Sequence, residues 1–197
     1  MPTKSISLCT EARIVSYASK TPFSDIRASF EFHINKSKVE PKVLLSLKKA
    51  SSAEDIARIV KGVTKSGDFL FFAELPYYPW LQTLTTNSEV QRFVSYIFGN
   101  PLIARHILEH EPAAGLFIPL RILIQEHHST QGSPEKNEER TTVTTLSYHL
   151  PSSLLPVVTL DANAALKDAL LDLDSKIEKL VLSVLKDDAK VPAQSRL

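Results

Sequence analysis

Glu74 opens the run Glu74-Leu75-Pro76-Tyr77-Tyr78-Pro79-Trp80, in which a carboxylate is followed at once by two tyrosines, a tryptophan and two prolines. A carboxylate beside phenols can do acid–base chemistry: the carboxyl group accepts or supplies a proton while the phenols donate hydrogen bonds to a substrate. The prolines stiffen the segment, so its rings form a cover over something apolar. Arg121 lies in an otherwise apolar run, Leu120-Arg121-Ile122-Leu123-Ile124, and requires either a carboxylate such as Glu74 or Glu126, or an acidic ligand. An internal ion pair is the simpler of the two. The catalytic candidates are therefore Glu74, Tyr78 and Arg121. Trp80 and Tyr148 are ligand-binding candidates, Trp80 as part of the aromatic wall and Tyr148, with Tyr77, as a further hydrogen-bond donor.

Asn100 precedes Pro101 at what reads as a helix start, where an Asn side chain caps free backbone N–H groups and proline suits the first helical position. The same N–H groups could hold a carboxylate or phosphate, which makes Asn100 a ligand-binding candidate. Further along, His106, Glu109 and His110 fit the H-x-x-E-H spacing of inverted zinc peptidases. The helix carrying them is short, bounded by Pro101 and Pro112, and no third acidic ligand is specified, so a solvated helix face is the expectation and no metal or cofactor is assigned. His127, His128 and His149 read as surface residues, and His33 as an edge or packed histidine. Cys9 reads as an ordinary thiol.

The chain has 197 residues, of which 43% are hydrophobic and 23% charged, the composition of one soluble domain with a real core. Lys and Arg total 23 against 22 for Asp and Glu, and no basic stripe alternates with aromatics, so nucleic acid is excluded as the expected partner. A single cysteine excludes an internal disulfide framework. No stretch approaches the roughly 20 apolar residues that span a bilayer, and the first residues lack the apolar core of a secretory signal. The end of the chain, Val191-Pro192-Ala193-Gln194-Ser195-Arg196-Leu197, reads differently. Ser-Arg-Leu is a conservative variant of the Ser-Lys-Leu address that the peroxisomal import receptor takes from a free C-terminus. The expectation is a peroxisomal protein, with Ser195, Arg196 and Leu197 as targeting residues on a flexible tail, 192–197, behind a single domain over 1–191.

The elements that must position these residues follow from periodicity. Residues 13–18 read as a strand. Thr21 and Pro22 open a helix that buries Phe23, Ile26, Phe30 and Ile34 on one face. Residues 35–50 read as a basic connection broken by Pro41, with at most a short element inside. Ser51 and Glu54 read as a capping box ahead of Ile56, Ile59, Val60 and Val63. Residues 69–75 read as a central strand, residues 76–89 as an apolar cover that cannot be regular structure throughout, and residues 92–98 as another strand. Two antiparallel strands surround a polar loop over 127–140, for which disorder is expected. A long amphipathic helix runs from Asn163. The expected fold is α+β, a single domain with a largely antiparallel sheet and helices packed on one face. Phe71, Ile97, Leu120, Ile122, Leu146, Leu170, Leu173 and Ile177 are expected in its core.

The runs Gly99-Asn100-Pro101-Leu102-Ile103-Ala104, Ala114-Gly115-Leu116-Phe117-Ile118-Pro119-Leu120-Arg121 and Pro151-Ser152-Ser153-Leu154 resemble, in order and spacing, the eukaryotic form of the domain of unknown function 302 family. The resemblance implies a small α+β domain of TATA-binding-protein-like architecture and a homodimer, with no assigned biochemical role. Many members carry an Asp-His pair where this chain has the Glu74 to Trp80 run, of which Trp80-Leu81 matches the tryptophan-leucine that follows the pair. The histidine is missing here.

Two readings of function follow. One is a peroxisomal enzyme acting on a small carboxylate or acyl metabolite through Glu74, the tyrosines and Arg121. The other is a non-catalytic homodimeric module that binds a small apolar ligand or a partner protein, which the missing histidine favours. Glu74, Tyr78, Trp80 and Arg121 are expected to border one cavity.

Overall fold

The computed structural model of the chain describes residues 11–39, 41–64, 68–85, 90–131 and 139–186. Among the described residues, five strands form one antiparallel sheet: β1 (Ile14–Ser19), β2 (Leu70–Pro76), β3 (Phe93–Gly99), β4 (Leu120–Gln131) and β5 (Glu139–His149). They lie in the order β1-β5-β4-β3-β2, so β4 is the middle strand. Alternation along each strand sets the two faces. Val94, Tyr96 and Phe98 of β3, Ile122 and Ile124 of β4, and Leu146 and Tyr148 of β5 are buried on one of them.

Helices cover that face. α1 (Phe23–His33), α5 (Pro101–Leu108) and α7 (Ala164–Lys186) contribute to a single apolar core with it. The periodicity of α1 is realised as read, since Phe23, Ile26, Phe30 and Ile34 are all at most 2% exposed. In α7 the buried stripe is Leu166, Leu170, Leu173, Ile177, Leu180, Val181 and Val184. Leu120, Ile122 and Leu146 are buried as expected, whereas Phe71 and Ile97 are only partly covered.

The segment read as a central strand over 69–75 forms β2, an edge strand over Leu70–Pro76. Its apolar character has another cause. α2 (Pro41–Lys49) and α3 (Ala53–Val63) wrap that edge of the sheet, where Val60, Val63 and Leu70 make a second small core flanked by Val43, Leu47, Phe72 and Leu102. α2 occupies most of the segment expected to be a connection, because Pro41 stands at its first position, where a missing N–H costs nothing.

Helix starts also differ from the sequence reading in detail. Ser52, not Ser51, caps α3, its Oγ accepting from Asp55 N at 3.1 Å. In α1 the cap position is Pro22, with no side-chain cap, and Thr21 instead bonds the Ser19 hydroxyl. Within the cover segment 76–89, expected not to be regular throughout, Tyr77–Leu84 form the helix α4. Its Pro79 falls within the first turn, where backbone N–H groups have no intrahelical acceptor to lose.

His127 and His128 belong to β4 and not to a loop, and each bonds a β5 threonine, Thr145 and Thr142 respectively. A last short helix, α6 (Val157–Ala162), precedes α7. None of the described helices is long and apolar enough to cross a membrane. Of the stretch expected to be disordered, residues up to 131 and from 139 belong to β4 and β5; residues 132–138, Cys9 and the tail from residue 187 lie outside the described residues.

Candidate functional site

Register places Glu74 on the helix-covered face. Glu74 is opposite Tyr96, Tyr96 opposite Ile122, and Ile122 opposite Tyr148, a straight row across four strands. Glu74 and Tyr148 are thus three strand spacings apart, roughly 14 Å. Arg121 pairs with Ile97 in the alternate row, so it belongs to the opposite face and is exposed. The ion pair expected between Arg121 and Glu74 or Glu126 is not formed. Strand parity forbids it, because successive residues point to opposite sides of a sheet.

Glu74 has other partners. Its Oε2 accepts from Lys36 Nζ at 2.8 Å and from Arg27 Nη2 at 3.1 Å. The same two cations hold Glu31 Oε1, Lys36 Nζ at 2.9 Å and Arg27 Nε at 2.9 Å. Tyr96 Oη donates to Glu31 Oε1 and accepts from Arg27 Nε at 2.9 Å. Lys36 Nζ also lies 5.5 Å from the Phe71 ring centroid. The side chains of the four charged residues are 25–30% exposed, so the cluster is half-shielded at the rim of the sheet.

Two cations and two carboxylates cancel in charge. Burial pushes the Tyr96 phenol up, and the adjacent Glu31 carboxylate adds to the shift, so the phenol stays protonated. For Glu31 burial acts upward, but the hydrogen bonds from Tyr96 and Lys36 and the two cationic charges outweigh it and hold the carboxyl below the ordinary range. A substrate that hydrogen-bonds Glu74 Oε2 must displace one of two donors already there. The arrangement ties α1 to β2 and β3.

Arg27, Glu31, Lys36 and Tyr96 were missed by the sequence reading. Two signals were available: the four-residue spacing of Arg27 and Glu31 on a helix, and a phenol in the buried strand β3 that needs a partner.

The remaining candidates are dispersed. Tyr77 stacks on Phe93 with centroids 5.5 Å apart, and Trp80 meets Tyr77 edge-on while remaining half exposed. Phe93 alternates with Val94, so these rings sit on the face opposite Tyr96. The Glu126 hydrogen bond, against a downward push from burial, raises the Arg92 guanidinium, and Tyr78 is near enough to add to that shift. Tyr148 is buried, and burial, with Tyr17 and the carboxylates of Glu178 and Asp174, pushes its phenol up. Glu126, also buried, is held by Arg92 through Nε at 2.9 Å and Nη2 at 2.5 Å.

Asn100 caps α5 as expected. Its Oδ1 accepts from Leu102 N at 2.9 Å, and its Nδ2 donates to Asp68 O at 2.7 Å. It also stands at a cavity of about 190 Å³ between β2, the end of β3, α5 and α7, lined by Phe69, Phe72, Ile103, Ala104, Leu108, Pro119 and Leu173. Both polar ends of Asn100 are engaged, so the wall offered to a guest is almost wholly apolar. No periodicity signals this cavity, because its lining comes from four separated segments. Gly99 sits at its rim, where a Cβ would come 3.1 Å from Phe72 Cε2 and 3.4 Å from Pro119 Cβ. Its φ is not positive, so close approach of the Phe72 and Pro119 side chains, and not a turn, requires glycine here.

No curated protein is similar enough in sequence to count as a match. The fold is similar to that of an uncharacterized conserved protein, DUF302 from Bacillus stearothermophilus, known from a crystal structure. The TM-score is 0.52 at 15% identity, covering 87% of this chain and 97% of that one. The family model described as "Domain of unknown function DUF302" matches residues 45–184, a span that holds four of the five strands, the apolar cavity and Glu74. The chain therefore belongs to the DUF302 family.

Proposed function

We propose that this chain is a small-molecule-binding domain whose ligand is apolar and occupies the cavity beside α5. One observation carries the reading: a space of about 190 Å³ walled by Phe69, Phe72, Ile103, Leu108 and Leu173, with the nearby Asn100 already satisfied. An engineered cavity of about 150 Å³ with similar walls stays dry and takes up benzene, so this volume suits a guest of benzene to toluene size. The enzyme reading has less support, since Glu74 Oε2 is committed to Arg27 and Lys36, and Arg121 and Tyr148 stand far from it.

The test is a methyl NMR titration with toluene. Saturable shifts of the Ile103, Leu108 and Leu120 methyls are expected, and Ala104→Leu, which fills the cavity, abolishes them. Absence of saturable shifts in the wild type sinks the reading.

The proposal includes a location. Ser195-Arg196-Leu197 supports peroxisomal import through the import receptor, provided that Leu197 carries the free carboxylate. An N-terminal fluorescent fusion should be punctate and coincide with a peroxisomal marker, and removal of the three residues should leave it diffuse. Diffuse fluorescence of the intact fusion rejects the location without touching the cavity.

A further inference from the structure

On the other flank of α5 from the apolar cavity, His106 and His110 line a second cavity of about 240 Å³ together with Asp172 of α7. Three facts make this more than a spacing in the sequence. First, the helical turn continues past Leu108: Glu109 has φ −70° and ψ −22°, Glu109 N donates to Arg105 O at 3.0 Å and His110 N to Ile107 O at 3.1 Å. Both imidazoles therefore leave the same side of one turn, with Cβ atoms about 5–6 Å apart. Second, the facing wall of α7 is Ala165 and Ala169, on the same stripe as Asp172, and these short side chains leave room for an ion and its water. Third, the carboxylate that the sequence pattern lacked comes from the opposing helix.

We propose that His106, His110 and Asp172 form a divalent transition-metal site, for zinc or a zinc-like ion, at the seam of α5 and α7. Two imidazole nitrogens and one carboxylate oxygen with a water in the fourth position make a tetrahedral zinc donor set. The site is reachable, since the His106 side chain is 67% exposed. It is not preassembled: among the described residues no three such side chains already stand around one point, and Asp172 Oδ1 is held by Lys176 Nζ at 2.7 Å. Metal entry exchanges Lys176 for the ion, by rotation of surface side chains. Glu109 stands beside His106, its Oε1 3.9 Å from His106 Nδ1, while its Oε2 accepts from Arg105 Nε at 3.2 Å. Glu109 does not line the cavity, so the proposed donor set does not include it. The site is separate from the apolar pocket, sharing only Ile103 of its lining.

Titration of the tag-free full chain with Zn²⁺, by calorimetry, and with Co²⁺, by its visible absorption, tests the proposal. One saturable ion per chain is expected, with ring resonances of His106 and His110 shifting. His106→Ala, His110→Ala and Asp172→Asn should each weaken Zn²⁺ binding by about tenfold or more, while His128→Ala leaves it unchanged. Lys176→Met should tighten it by about two- to fivefold, the weight of a surface ion pair. These are surface positions, and melting curves without metal confirm that each variant is folded. No saturable binding, or undiminished binding in the His106→Ala/His110→Ala double variant or in Asp172→Asn, overturns the site.

Discussion

Tyr96 Oη donates to Glu31 Oε1 across 2.5 Å, joining the middle of β3 to α1 at the centre of the charged cluster. The Tyr96 residue is 0% exposed, so its hydroxyl has no solvent to fall back on. Tyr96→Phe should lower stability by about 1–2 kcal/mol at pH 7, read from urea unfolding. The pH dependence follows from the direction of the Glu31 shift. A carboxyl held below its ordinary value of 4.5 contributes stability that is fully present above that value and lost as pH falls through the lower folded value. The gap between wild type and Tyr96→Phe should therefore narrow in acid; a gap that widens below pH 4 contradicts the assignment.

Arg92 and Glu126 form the second test. Glu126 is 5% exposed, and Arg92, whose guanidinium also lies 5.1 Å from the Phe23 ring, is its bidentate partner. The Arg92 hydrogen bond and charge, against an upward push from burial, hold the Glu126 carboxyl low. Arg92→Met keeps the stem but strands a buried carboxylate, and should cost about 2 kcal/mol at neutral pH. Adding Glu126→Gln should restore part of the loss, and a double-mutant cycle measures the coupling. Additive losses would show that the pair does not interact.

Asp174 carries the opposite sign. Burial raises its carboxyl, against a weaker downward pull from the Ser152 N–H, 3.2 Å away, and from Arg13. Its charged form is thus disfavoured in the folded state, a penalty present at neutral pH and relieved as pH falls through the raised value. Asp174→Asn retains an oxygen for Ser152 N and should raise the melting temperature at pH 7, with the gain disappearing in acid. A loss of stability at pH 7 would mean that the charge is used.

Gly99→Ala probes the rim of the apolar cavity. The added Cβ would be 3.1 Å from Phe72 Cε2, tighter than ordinary contact, so Phe72 must shift. A destabilisation of about 1–2 kcal/mol is expected, and toluene binding, read by the same methyl titration, should weaken because Phe72 lines the space. Unchanged stability and unchanged binding would show that Phe72 moves freely there.

The helices were largely legible in the chain. Phe23, Ile26, Phe30 and Ile34 recur at helical spacing and all are buried; Asn100 and Pro101 mark the start of α5; the apolar stripe of α7 runs as read from Leu166 to Val184. Such features depend on residues within a turn or two of each other, so the local sequence determines them. The sequence also carried the family, through runs around Asn100, Pro119 and Pro151, and the pairing of β4 with β5. The partners of Glu74 were not legible, because Arg27 and Lys36 lie 47 and 38 residues away and reach it only once β2 has become the edge strand beside β3. Nor was the exile of Arg121 to the opposite face, which hangs on a one-residue register with Ile97. The apolar cavity, and the cavity that His106 and His110 share with Asp172, likewise come from segments far apart in sequence. Local spacing is a property of nearest neighbours along the chain, whereas strand order, register and the spaces between layers are settled by the burial of all the apolar faces at once.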